Sequence, residues 1–156
     1  PGIRAATSNA RLALPSSVKD YPRVIADALN TLRLVGVNGP YALVLGAQEF
    51  RAIDSGDDAG YPVRKHTEGM INGKIVEAPA LSGAFVVSLR GGDLALDIGQ
   101  DFSIGYLSHT AEQVELYLQE SFVFRVLTSE ATVAIDPCGN AAAGYNNTHV
   151  TNTGLH

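Results

Sequence analysis

Three carboxylates stand close together in the run Asp54-Ser55-Gly56-Asp57-Asp58-Ala59-Gly60. Oxygen ligands at such short spacing can hold a hard divalent cation or, in a hydrolase, orient a metal-bound water. The spacing does not match an EF-hand loop, and an exposed acidic loop is ordinarily solvated. His66 and His109 are far apart in sequence, while His149 and His156 fall near the end of the chain. A base–nucleophile pair of His109 with Ser103 or Ser108 is geometrically allowed, but no further residue supports it. Arg90-Gly91-Gly92-Asp93 has the composition of a phosphate cradle. Gly46, between a strand pattern and a helix pattern, faintly resembles a nucleotide turn, yet one glycine cannot admit a pyrophosphate. No G-x-S-x-G, H-E-x-x-H, P-loop or dinucleotide fingerprint occurs. The residues therefore predict no enzyme, no cofactor and no metal centre.

The elements that would position these residues divide the chain. Residues 1–14 read as an irregular, basic lead-in. Asp20-Tyr21-Pro22 reads as a helix start, with the carboxylate near the N-cap and proline in the first turn. Ile25, Ala28, Leu29 and Leu32 follow at helical spacing, and Gly36 is the expected stop. Tyr41–Leu45 reads as a buried strand and Gln48–Ile53 as a short helix. With two glycines and three carboxylates, Asp54–Gly60 is expected to hold no regular element. Pro62 then starts a helix that ends at Asn72-Gly73.

From Lys74 the pattern becomes β. Ile75–Ala78, Phe85–Leu89 and Leu94–Ile98 read as strands, with Gly91-Gly92 as a two-residue hairpin turn between the last two. Val114–Val126 alternates over its whole length: Val114, Leu116, Leu118, Phe122, Phe124 and Val126 predict one buried face. Glu120 interrupts that face, either where the strand bends or where it meets a basic partner across an interface. The bend is the expected reading. Thr132–Ile135 is a candidate last strand. Residues 136–156 read as a polar, flexible tail, and the triplet Asn146-Asn147-Thr148 is a chance glycosylation match.

Composition narrows the function classes. The chain has 156 residues, 46% hydrophobic and 17% charged, with a formal net charge of −5. That length suits one domain, or two small lobes around one core. The single cysteine, Cys138, forms no internal bridge, and no Cys/His cluster has metal spacing, which excludes a disulfide scaffold and a zinc module. The acidic excess argues against nucleic acid as a partner, and no apolar run is long enough to span a membrane. With Pro1 first and Met70 the only methionine, the chain is expected to be a fragment or a processed product.

Several runs, in order, resemble the encapsulin shell protein family, also known as the linocin-type bacteriocins. They are Gly36-Val37-Asn38-Gly39-Pro40-Tyr41, Gly60-Tyr61-Pro62, Ser88-Leu89-Arg90-Gly91-Gly92-Asp93, Gly99-Gln100-Asp101 with Ser103-Ile104-Gly105-Tyr106, and Glu120-Ser121-Phe122-Val123-Phe124-Arg125-Val126 with Glu130-Ala131. The resemblance covers residues 1–135. Leu94 departs from it, standing where the family usually has phenylalanine.

The resemblance implies an α+β, tailed-phage capsid-like fold, with this chain as the C-terminal part of a longer protein. An A domain over residues 15–98 and C-terminal P-domain strands over 99–135 are implied, without the N-terminal arm, E loop and spine helix. It further implies a cytoplasmic icosahedral shell of identical subunits, an encapsulin nanocompartment also recovered from culture filtrate. The shell encloses a cargo enzyme, a dye-decolorising peroxidase or a ferritin-like protein for iron storage, bound through a short targeting peptide. On this reading Asp54, Ser55, Gly56, Asp57, Asp58, Ala59 and Gly60 line the five-fold pore. Asp101, Phe102, Ser103 and Ile104 lie near the luminal face for cargo docking, or else form a buried turn between two strands. The competing functions are a secreted antibacterial protein and a metal-dependent hydrolase acting through the acidic 54–58 loop.

Overall fold

The computed structural model describes residues 2–137. The expected tail beyond Pro137, with Cys138, the Asn146 triplet, His149 and His156, lies outside the described residues. In chain order the elements are α1 (Ile3–Ala6), β1 (Leu12–Ala13), α2 (Tyr21–Leu34), β2 (Tyr41–Leu45), α3 (Ala47–Ser55), β3 (Asp57–Asp58), β4 (Tyr61–Pro62), α4 (Val63–Ile71), β5 (Ile75–Glu77), β6 (Ala84–Ser88), β7 (Leu94–His109), β8 (Val114–Val126) and β9 (Thr132–Asp136). No described helix is long and apolar enough to cross a membrane.

Helix α2 follows its sequence signals. Pro22 occupies the first turn, where a missing N–H costs no helical bond. Asp20 stands at the N-cap position but its side chain makes no capping hydrogen bond. Ile25, Ala28, Leu29 and Leu32 are buried and face a five-stranded sheet ordered β1-β9-β6-β2-β5. The outer pairs β1–β9 and β2–β5 are parallel, and the inner pairs β9–β6 and β6–β2 antiparallel. Leu43, Leu45, Val86, Val133 and Ile135 supply the sheet's share of the core, and Ile53 and Val63 join it from α3 and α4.

Three expectations need correction. Gly91 and Gly92 do have positive φ, 88° and 79°, but they do not close a hairpin. Both edges of β6 are taken, by β2 on one side and β9 on the other, so the chain must leave the sheet at this corner. Leu94–Ile98 instead opens the long strand β7, which among the described residues pairs only with β8. The candidate last strand is present as Thr132–Asp136, in the five-stranded sheet. Its apolar Val133, Ala134 and Ile135 are fully buried between β1 and β6. The lead-in is not irregular throughout, since Leu12 and Ala13 pair with Ile135 and Asp136. Asp136 therefore ends a strand and does not begin the tail, and Arg4 and Arg11 both pair with its carboxylate.

Candidate functional site: an apolar ribbon and an acidic turn

Strands β7 and β8 form a two-stranded antiparallel ribbon that stands apart from the sheet. The pairing contains three register shifts, between Ile98 and Gln100, Gln100 and Ser103, and Tyr106 and Ser108. Each places one extra residue on β7, which is why 16 residues of β7 span the same length as 13 of β8. A shift of one residue turns every later side chain to the other face. The bulges absorb that shift and keep like residues opposite each other. Leu94, Leu96, Ile98, Ile104 and Tyr106 thus pair with Val126, Phe124, Phe122, Leu118 and Leu116. Glu120 stands opposite the central bulge, where Asp101 and Phe102 of β7 together oppose that one residue.

Paired residues share a face, so these side chains make one apolar surface, interrupted at Glu120. The alternation predicted a buried face, and here the structure differs. Leu96, Ile98, Ile104, Tyr106, Val114, Leu116, Leu118 and Phe122 are 58–65% exposed. Only Leu94, Phe124 and Val126, at the root, are partly buried. Period two specifies a face, not the layer that covers it. Among the described residues no element packs across the ribbon.

The opposite face is mostly polar, with Val123 and Tyr117 as its exposed apolar members. Arg125 Nε donates to Asp97 Oδ2 at 2.7 Å, and Ser108 Oγ donates to Glu115 Oε2 at 2.7 Å. Tyr117 lies across Gly105 on the neighbouring strand, where a Cβ would come within 2.1 Å of the ring. The ribbon is therefore amphipathic, with one side made for water and one for burial.

The segment Asp101–Ile104 is neither a turn nor buried. It lies within β7 at the central bulge, with Phe102 and Ile104 exposed and the Phe102 N–H donated to Asp101 Oδ1. The ribbon's own bonds also dispose of the histidine pair. Ser108 is bonded to Glu115, Ser103 donates to the Gln119 carbonyl, and His109 Nδ1 meets Tyr106 Oη.

The acidic run holds more structure than its composition suggests. Helix α3 continues through Asp54 and Ser55, and Asp57-Asp58 pairs with Tyr61-Pro62 across a tight turn. Ala59 and Gly60 supply positive φ, 52° and 87°, as a two-residue turn requires. The three carboxylates do not converge. Asp54 pairs with Arg64 of α4, Asp57 accepts the Gly60 N–H, and exposed Asp58 stands opposite Tyr61. Arg64 also donates to Glu68 at 2.9 Å and lies 5.6 Å from the Phe50 ring centre. Its pKa is raised, by hydrogen bonding to Glu68 first and Asp54 second. Among the described residues no group of three or more His, Cys, Asp or Glu side chains could hold a metal ion. Asp54 is paired with Arg64 and Asp57 holds the turn's backbone, while Asp57 and Asp58 keep an acidic tip on the exposed turn.

At the ribbon's root Arg90 grips Asp93 through two bonds of 2.9 Å, Nε to Oδ2 and Nη2 to Oδ1. Asp93 is buried. Its pKa is lowered by the Arg90 bond and, less, by Thr128, while burial acts in the opposite sense. The run resembles a phosphate cradle in composition alone. The arginine is spent on the aspartate three residues later.

With this geometry in view, the likenesses to known proteins become specific. Residues 1–123 match the Linocin_M18 family model, described as encapsulating protein for peroxidase. The type 1 encapsulin shell protein of Rhodococcus erythropolis is 54% identical over 134 residues, 86% of this chain and 51% of the relative. That of Mycobacterium tuberculosis is 47% identical over the same shares. The chain thus spans about half the length of the curated relatives it matches. In three dimensions it resembles a virus-like particle protein from Pyrococcus furiosus, with TM-score 0.67, 18% identity and coverage of 83% of this chain and 57% of that one. It also resembles a protein of Mycobacterium phage Che8, with TM-score 0.60, 19% identity and coverage of 85% and 54%. Those structures establish the expected α+β capsid-type fold. By its family match over residues 1–123, this chain belongs to the Linocin_M18 family of encapsulating proteins.

Proposed function

We propose that this chain is the C-terminal part of a structural shell protein, not an enzyme, whose copies close into an icosahedral cytoplasmic compartment around a cargo enzyme. The observation that carries the reading is the uncovered apolar ribbon. A two-stranded hairpin is at best marginally stable in water, yet this one extends about 40 Å at the usual rise per residue. Burying each of its exposed large side chains contributes roughly 1–2 kcal/mol, so the ribbon is built to be covered. The occupant proposed is the other half of the family's length, the spine helix above all. Identical subunits then meet through the assembled layer. A peroxidase cargo agrees with the family description, and a targeting peptide would bring it to the luminal surface.

Two finer assignments belong to the same reading. The Asp57–Gly60 turn, with Asp54 and Ser55 behind it, is proposed to rim a five-fold pore. Exposed Phe102 and Ile104, with Asp101 and Ser103, are proposed to help dock the cargo peptide. Sedimentation velocity of full-length protein and of residues 1–156 tests the main reading. Large closed particles are expected from the former only. A closed shell from residues 1–156 alone would show that the ribbon needs no cover from elsewhere.

A further inference from the structure

We propose that Arg90 and Asp93 form a clamp that locks the Gly91–Gly92 corner and so sets the direction in which the ribbon leaves the core. The ribbon joins the core through two chain crossings, after Ser88 and after Val126. A corner of two glycines is the softest link a chain can have, and a Cβ at either would meet nothing within 4 Å. The space is open, and only the positive φ calls for glycine. Left to itself such a corner is a hinge.

The side chains on either side remove that freedom. Arg90 reaches over the corner to fork onto Asp93, the last residue before β7. Its third nitrogen, Nη1, donates to the Gly36 carbonyl at 3.2 Å, just beyond the end of α2. One guanidinium thus ties the principal helix of the core to the root of the ribbon. Asp93 fixes the second crossing as well, because its carbonyl accepts the N–H of Leu127 at 2.8 Å and of Thr128 at 3.2 Å. Behind the clamp, Arg90 N–H donates to Ser88 Oγ, which itself donates to the Asn38 carbonyl. A planar, forked donor suits this task, and a lysine could reach only one of these acceptors at a time. That the aim of the apolar face matters for packing rests on the assembly reading; the clamp itself does not.

The test reads direction alone. In a Cys138→Ser background, spin labels at Asn30→Cys on α2 and Gln119→Cys on β8 report the core-to-ribbon distance. The parent chain is expected to give one narrow distribution. Arg90→Ala is expected to broaden it roughly twofold, and Arg90→Lys, which keeps the charge without the fork, by less. Asp93→Asn keeps both backbone bonds and is expected to resemble Arg90→Lys. Circular dichroism and thermal unfolding of each variant show whether the core is intact. Unchanged widths in folded variants would overturn the proposal. Loss of the fold in all three would overturn it too, since the pair would then hold the core together and not aim the ribbon.

Discussion

Tyr117 occupies the space that a side chain on Gly105 would need, directly across the ribbon from it. The glycine gives the ring a seat against the neighbouring backbone, a device that recovers packing where a strand lacks a side chain. Tyr117 is half-exposed, so the ring can swing out when displaced. Gly105→Ala is expected to cost about 0.5–1 kcal/mol, the worth of one cross-strand aromatic contact. Urea unfolding of Gly105→Ala, Tyr117→Ala and the double variant checks it: the alanine at 105 should be nearly neutral once the ring is gone.

Two leucines should separate core from interface. Leu43 is fully buried in β2, and Leu43→Ala is expected to destabilise the chain by about 2–5 kcal/mol. Leu118 is 65% exposed, and Leu118→Ser should change the stability of residues 1–156 by no more than about 0.5 kcal/mol. In the full-length protein the order reverses in its visible effect. Leu118→Ser is expected to reduce the yield of closed particles from well-folded subunits, as sedimentation would show.

Asp93 makes stability depend on acidity with a definite sign. The Arg90 bond holds its carboxyl below the ordinary 3.8. Its contribution is therefore complete above 3.8 and is lost as pH falls through the lower folded value. Arg90, whose pKa is raised chiefly by its hydrogen bond to Asp93, stays charged throughout and adds no slope. Urea midpoints measured between about pH 6 and pH 2 should fall more steeply for the parent than for Asp93→Asn at the acid end. Parallel curves would show that the fork carries no linked proton.

The acidic turn should divide its carboxylates by their partners. Asp54 is already neutralised by Arg64, whereas Asp57 and Asp58 stand on the exposed tip. If five copies ring an opening, the unpaired charges focus the field and raise the local cation concentration. Asp57→Asn/Asp58→Asn is therefore expected to slow Fe²⁺ entry into intact full-length shells at low salt, with a smaller effect at high salt. Asp54→Asn should change little. Equal entry rates for all would leave the turn a solvated rim.

Local pattern and tertiary placement were legible to different degrees. Helix α2 could be read to within a residue or two because Pro22, Gly36 and the apolar period agreed, and strand β8 because its period-two alternation runs its whole length. The Gly91-Gly92 corner was misread because positive φ is common to hairpin turns and to corners. What distinguishes them is whether β6 has a free edge, which depends on β2 and β9, distant in sequence. The bulges were hidden for a similar reason, since an extra residue on β7 is defined only against β8. The Arg90–Asp93 clamp was within reach, as oppositely charged residues three apart around two glycines. The Asp54–Arg64 pair, ten residues apart across two helices, was not.

Because all three extra residues sit on β7, the ribbon has two unlike margins. Along β7 the outward row of backbone donors and acceptors is broken three times and twisted at each break. Along β8 the row runs without a bulge or a proline through all 13 residues. A bulged margin is a poor template for another strand and a straight one is a good template. Any further strand therefore finds continuous pairing on the β8 side alone. Collisions between incomplete chains are biased in the same way, toward growth from one flank and not from both.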